Sequence, residues 1–131
     1  MNEQGALHGE RKFRVAIVDD DEDIRFLVQA WIRSDPRFEV CGLATDGTEA
    51  VTLAEREQPD VMVLDIMMPV MGGLEAAPLI KGCSPATRIV LFTARTTLAV
   101  QTPYVDAFVS KARTKADLLS ALIPDLESAT G

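Results

Sequence analysis

Apolar residues gather along this chain in short dense runs, and between the runs they thin to a helical spacing. Phe13–Val18, Phe38–Leu43, Val61–Leu64 and Arg88–Phe92 are such runs, each short enough for a strand and bounded by polar or turn-forming residues. Val61–Leu64 has no polar alternation, which suits a strand covered on both faces. Between the first two runs, Ile24, Leu27, Val28, Trp31 and Ile32 repeat as one face of a helix, with Asp21 or Glu22 near its start and Pro36 beyond its end. Asp46-Gly47 turns the chain into a second helix bearing Ala50, Val51, Leu53 and Ala54. A third begins near Gly73 and is expected to be weak, because Pro78 removes a backbone hydrogen bond and often kinks a helix. Thr93–Asp106 has no apolar stripe and carries Pro103, which leaves Thr97–Gln101 about one turn of helix. Ala107–Val109 is a brief fifth strand. Thr114–Asp117 reads as a capping box with Asp in place of Glu; Leu118, Leu119, Leu122, Ile123 and Leu126 then form an apolar face, interrupted by Pro124, expected to cover one sheet edge. Strands alternating with helices in this way predict an α/β fold with a five-stranded, doubly wound parallel sheet and right-handed crossovers.

The strand ends carry the chemistry. Val61–Leu64 runs into Asp65, and Phe13–Val18 runs into Asp19, Asp20 and Asp21, so carboxylates reach one rim if the two strands are parallel neighbours. That rim is where ligands bind in open α/β sheets. Two unit charges about 4 Å apart at an effective dielectric near 20 repel by about 4 kcal/mol, which calls for a cation or raised pKa values. Mg²⁺ takes oxygen ligands and typically uses one or two carboxylates plus phosphate oxygens, which matches this inventory. An acidic helix start favoured by the macrodipole accounts for Asp21, Glu22 and Asp23 but leaves Asp65 unexplained. Thr93 and Lys111 end apolar strands on the same side, adding a hydroxyl donor and a cation. An Asp nucleophile, a metal, a Lys and a Thr together suit phosphoryl transfer through an aspartyl phosphate.

Composition narrows the class. At 131 residues the chain supports one core. No apolar stretch approaches the roughly 20 residues of a membrane span. Met1–Glu10 lacks the apolar core of a signal peptide and is expected to be a loose tail extending to residue 11, with His8, the one histidine, inside it. Cys41 and Cys83 match no metal or redox spacing and read as reduced, partly buried thiols, which fits a cytoplasmic address. A formal charge of −7 argues against nucleic-acid binding by this domain, and Arg11, Lys12 and Arg14 read as a solvated strand entrance.

With "VDDD" at 18–21, "LDIMMPVMGG" at 64–73, "FTA" at 92–94 and "FVSK" at 108–111, the sequence resembles the response-regulator receiver domain of two-component signalling over residues 12–128. The resemblance implies a flavodoxin-like receiver fold that is not itself an enzyme, with Asp65 as the phosphoacceptor. Asp20 and Asp65 would bind Mg²⁺ together with the backbone carbonyl of Met67, while Asp19 holds a metal-bound water. Thr93 and Lys111 would contact the phosphoryl group, Ala94 would keep its entrance open, and Phe108 would be the aromatic switch partner of Thr93. The donor would be a histidine kinase or histidine phosphotransfer protein, and the reader a downstream protein target, an output domain or a second copy of the chain. The "PRFEVCGLATDG" stretch resembles receivers that precede helix-turn-helix output domains, and no such domain follows in this chain.

The chain departs from the family pattern where Ala112 follows Lys111 in place of proline, and a trans Lys111–Ala112 peptide is expected, since a non-proline cis bond costs about 3 kcal/mol. The Thr93-to-Lys111 segment is shorter than usual by about one helical turn and is expected to be mobile before phosphorylation. A dehalogenase-like phosphatase would need a second acid where Met67 stands. A nucleotide-binding module would need a glycine-rich turn where Asp19–Glu22 stands. A passive interaction module with the receiver fold is the other reading of the same residues.

Overall fold

The computed structural model describes residues 11–94 and 102–123. The five strands are β1 (Phe13–Val18), β2 (Phe38–Ala44), β3 (Val61–Leu64), β4 (Arg88–Thr93) and β5 (Ala107–Ser110). They form one sheet in the order β2-β1-β3-β4-β5, with every neighbouring pair parallel. The helices are α1 (Glu22–Arg33), α2 (Gly47–Glu57), α3 (Gly73–Cys83) and α4 (Lys115–Leu122). Alternation along the strands deals side chains to two cores. Val15, Ile17, Val61, Val63, Val90, Phe92 and Val109 pack with Val28 and Ile32 of α1 and Leu118, Leu119 and Leu122 of α4. Ala16, Val18, Met62, Leu64, Ile89 and Leu91 pack with Ala50, Leu53 and Ala54 of α2 and Ala76, Ala77 and Ile80 of α3.

Each helix start has a local cause. Asp21 caps α1 by accepting from the Asp23 and Ile24 amides, and Asp46 caps α2 by accepting from the Glu49 amide at 2.9 Å. Thr114 and Asp117 close both halves of the box expected for α4.

Several expectations need correction. Pro78, expected to weaken α3, lies inside it, and the helix runs through that proline over its eleven residues. The carbonyl that Pro78 deprives of a helical donor belongs to Leu74, an exposed residue of the first turn. Leu27, placed by its spacing on the buried face of α1, is 41% exposed, so Val28 and Ile32 carry that contact. Arg14 is no solvated entrance residue. Its guanidinium pairs with Glu57 at 2.7 Å and also donates to the Glu57 carbonyl, while its amide donates to Asp60, tying β1 to the end of α2. Helix α4 covers the sheet face beside α1, not an edge alone. Its expected continuation through Pro124 to Leu126, the tail 1–10, and the expected turn at Thr97–Gln101 with its mobility lie outside the described residues. Cys41 and Cys83 are both unpaired and half-buried, as expected. No cis peptide occurs among the described residues, so Lys111–Ala112 is trans.

The loop from β3 to α3 stores strain. Val70 has φ 67°, a left-handed conformation that a β-branched side chain rarely adopts, and it is 83% exposed, so no packing compensates. The Met71 amide donates back to the Pro69 carbonyl at 2.7 Å, closing a three-residue turn around it. Val70→Gly should therefore stabilise the protein by about 1 kcal/mol, the scale of such backbone strain. An unchanged or lower denaturation midpoint for that variant would show that Val70 is not strained.

Candidate functional site

The strand order reverses direction between β1 and β3, and the crevice outside their carboxyl ends is where a doubly wound sheet can receive a ligand. Val18 pairs with Leu64, so the two residues that follow them, Asp19 and Asp65, leave the sheet side by side. Both are buried, whereas Asp20 is exposed. One carboxylate oxygen from each of Asp19, Asp20 and Asp65 lies within 4.8 Å of the others.

Backbone bonds fix this geometry. The Asp65 amide donates to the Val18 carbonyl at 3.1 Å, and the Ile66 amide donates to Asp65 Oδ1 at 2.8 Å. The Asp21 amide donates to Asp19 Oδ1 at 2.9 Å, and Arg25 Nη1 donates to the Asp19 carbonyl at 2.7 Å. Gly73 packs directly against the Asp65 carbonyl, where a side chain would collide with it.

Lys111 follows β5, and its amide donates to the Thr93 carbonyl at 2.8 Å. Its Nζ lies 2.7 Å from Asp19 Oδ2 and 3.3 Å from Asp65 Oδ2, bridging the two buried carboxylates. Burial and the neighbouring Asp19 charge push the Asp65 carboxyl above the usual carboxylate range, and Lys111 opposes them. Burial would lower the Lys111 ammonium. Its hydrogen bond to Asp19 and the charges of Asp65 and Asp19 outweigh that and hold it above its ordinary value.

Thr93 ends β4 fully buried, at the same end of the sheet. Ala94 is exposed beyond it. Phe108 is 36% exposed and stands opposite Leu91, on the sheet face of α2 and α3. The Met67 side chain points to solvent, and its carbonyl accepts no hydrogen bond among the described residues. Sequence reasoning missed three supports: Arg25 on the Asp19 carbonyl, Gly73 under Asp65, and Gly47, whose amide donates to the Met71 carbonyl at 2.8 Å. Gly73 belonged to a glycine pair that read only as the end of a loop and the start of a helix, and Arg25 carried no signal beyond its place one turn from Asp21.

The donor set suits a hard divalent cation. It offers three carboxylate oxygens close enough to share one ion. Lys111 shows that the site already draws a cation toward these carboxylates.

The response regulator receiver domain family matches residues 15–123. Protein-glutamate methylesterase/protein-glutamine glutaminase of Pyrococcus abyssi is 43% identical over 81 residues, 62% of this chain and 22% of that protein. The chain thus spans under a quarter of the length of that curated relative. Among solved structures, the signal receiver domain of the Mycobacterium tuberculosis response regulator NarL superposes with TM-score 0.75 at 28% identity, covering 92% of this chain and 98% of that one. The response regulator domain of Thermotoga maritima CheB gives TM-score 0.71 at 30% identity, covering 91% and 93%. No helix among the described residues is long and apolar enough to cross a membrane. By its family match, its sheet order and its neighbours in structure, the chain belongs to the response regulator receiver domain family.

Proposed function

We propose that this domain accepts a phosphoryl group on Asp65, with Mg²⁺, from a sensor histidine kinase or a histidine phosphotransfer protein, and thereby switches its hold on a downstream protein target or output domain in the cytoplasm. The convergence of Asp19, Asp20 and Asp65 at the β1/β3 crevice with Lys111 drawn between two of them carries this reading. An Asp65 carboxylate oxygen attacks phosphorus; as the O–P bond forms, the bond from phosphorus to the donor imidazole nitrogen breaks, and that nitrogen keeps the electron pair. Held by Asp20, Asp65 and the Met67 carbonyl, with Asp19 on one of its waters, Mg²⁺ would offset the negative charge of the incoming phosphoryl oxygens. Lys111 contributes a point charge that a flexible stem can carry from the carboxylates to the phosphoryl group. Thr93 offers its hydroxyl to a phosphoryl oxygen, and Phe108, at the exposed edge strand, follows that movement as the switch residue.

Beryllofluoride, an acyl-phosphate mimic, tests the reading. A Mg²⁺-dependent change in the amide spectrum on its addition is expected; silence would leave the passive interaction module as the better account. Asp20→Asn should weaken Mg²⁺ binding about ten-fold or more while barely changing thermal unfolding, because Asp20 is exposed and contributes charge, not packing. Equal calorimetric titrations for the variant and the parent would remove Asp20 from the ligand set.

A further inference from the structure

We propose that Gly47, on a different element from every acidic residue of the site, is a positioning residue that seats the loop carrying the Met67 carbonyl. The proposal rests on the Mg²⁺-dependent receiver reading and extends it to a residue that reading does not include.

Gly47 is the buried first residue of α2. Its φ is not positive, so no backbone requirement calls for glycine there, and helix propensity favours any other residue except proline. What calls for glycine is close approach. A Cβ at Gly47 would lie 2.5 Å from the Met71 carbonyl oxygen, 2.7 Å from Met71 Cγ and 2.9 Å from Met71 Cβ. The Asp46 cap satisfies the Glu49 amide, which leaves the Gly47 amide, one of the donors a helix start cannot bond internally, to reach the Met71 carbonyl at 2.8 Å.

That bond matters because of what surrounds it. The Gly73 amide closes one end of the loop on the Ile66 carbonyl at 2.9 Å, and the Met71 amide closes the strained turn on Pro69. Among the described residues, the Gly47–Met71 bond is the one hydrogen bond that ties residues 67–72 to anything other than the loop itself and α3. Val70 is held at φ 67° between these anchors. A loop under strain holds its shape only where its surroundings over-determine it. Met67 lies inside the anchored span, so lifting Met71 off α2 would turn the segment that carries its carbonyl, the backbone ligand of the proposed reading.

The test is calorimetric Mg²⁺ titration, with circular dichroism and thermal unfolding, of the parent, Gly47→Ala and Gly82→Ala. Gly82 is the control because it is also helical but a Cβ there meets nothing within 4 Å. We expect G47A to retain its helix content and to bind Mg²⁺ about ten-fold more weakly, the scale on which residues behind metal ligands act, with G82A equal to the parent. A folded G47A within about two-fold of the parent would overturn the proposal and leave the receiver reading standing. A parent that does not bind Mg²⁺ at all would overturn both. Should G47A fail to fold, Met71→Gly decides: it loosens the backbone that carries the bonded carbonyl and removes the side chain resting on Gly47. A loss of about three-fold is expected, and unchanged affinity overturns the proposal.

Discussion

Replacing Asp65 with asparagine should abolish acid-labile labelling by acetyl phosphate and, at neutral pH, make the protein more stable than its parent. The first effect follows from chemistry, since an amide keeps the shape of the side chain and the hydrogen bond from the Ile66 amide but has no anionic oxygen to attack phosphorus. The second follows from the environment. Burial and the Asp19 charge raise the Asp65 carboxyl above its ordinary value of 3.8, so the folded state holds this proton more tightly than the unfolded chain does. Stability from that proton is fully present below the unfolded value and is lost as pH rises through the raised folded one. Asparagine has no such loss and also relieves the repulsion between Asp19 and position 65. The variant should therefore exceed the parent by about 1 kcal/mol near pH 7, the scale on which relieving a site built for function stabilises a fold, with the gap narrowing toward pH 4. Denaturant midpoints at both pH values measure this. Persistent labelling of the variant would remove Asp65 as acceptor, and a gap that does not change with pH would contradict its raised carboxyl.

The parts of this fold that were legible in the sequence are those decided by neighbours in the chain. Val61–Leu64 is a strand over its full predicted span because four buried positions in a row suit only an element covered on both faces, and the two cores flank it. The Asp21, Asp46 and Thr114 helix starts were readable because caps are local. The convergence of Asp19, Asp20 and Asp65 was also legible, since parallel pairing of two strands that end in aspartate leaves one rim for all three. What stayed hidden depends on contacts across the chain. Pro78 read as weakening its helix because propensity counts its lost bond and not the burial of Ala76, Ala77 and Ile80, which holds α3 together around it. Arg14 looked solvated because nothing near it in sequence announces Glu57 and Asp60 as partners.

Glycine shows the same division most sharply, and Gly73→Ala is the substitution from which we expect the largest loss of stability. Read along the chain, Gly72-Gly73 only marks a loop and a helix start. In the fold, Gly73 is the first residue of α3, its amide donates to the Ile66 carbonyl at 2.9 Å, and a Cβ would strike the Asp65 carbonyl oxygen and press on Leu64. Neither obstacle can yield cheaply. The Asp65 carbonyl belongs to the backbone that leaves the central strand β3, and Leu64 is fully buried under α3. Met71, which confronts Gly47, belongs to an irregular loop and can shift; the end of β3 is held by β1 on one side and β4 on the other. Either α3 lifts from the sheet or the strand end bends, and both disturb close packing, so a cost of about 3 kcal/mol is expected, at the upper end of overpacking effects. For a domain of this size that is a fall of roughly 10 °C in the unfolding midpoint. Gly82→Ala, in the same helix with open space around it, should move the midpoint slightly upward, since alanine restricts the unfolded chain and favours helix. Opposite signs for two Gly→Ala changes nine residues apart in the same helix would locate the constraint at the junction between strand and site. A Gly73→Ala midpoint within about 2 °C of the parent would mean that the end of β3, and the acceptor it carries, is far more yielding than its packing implies.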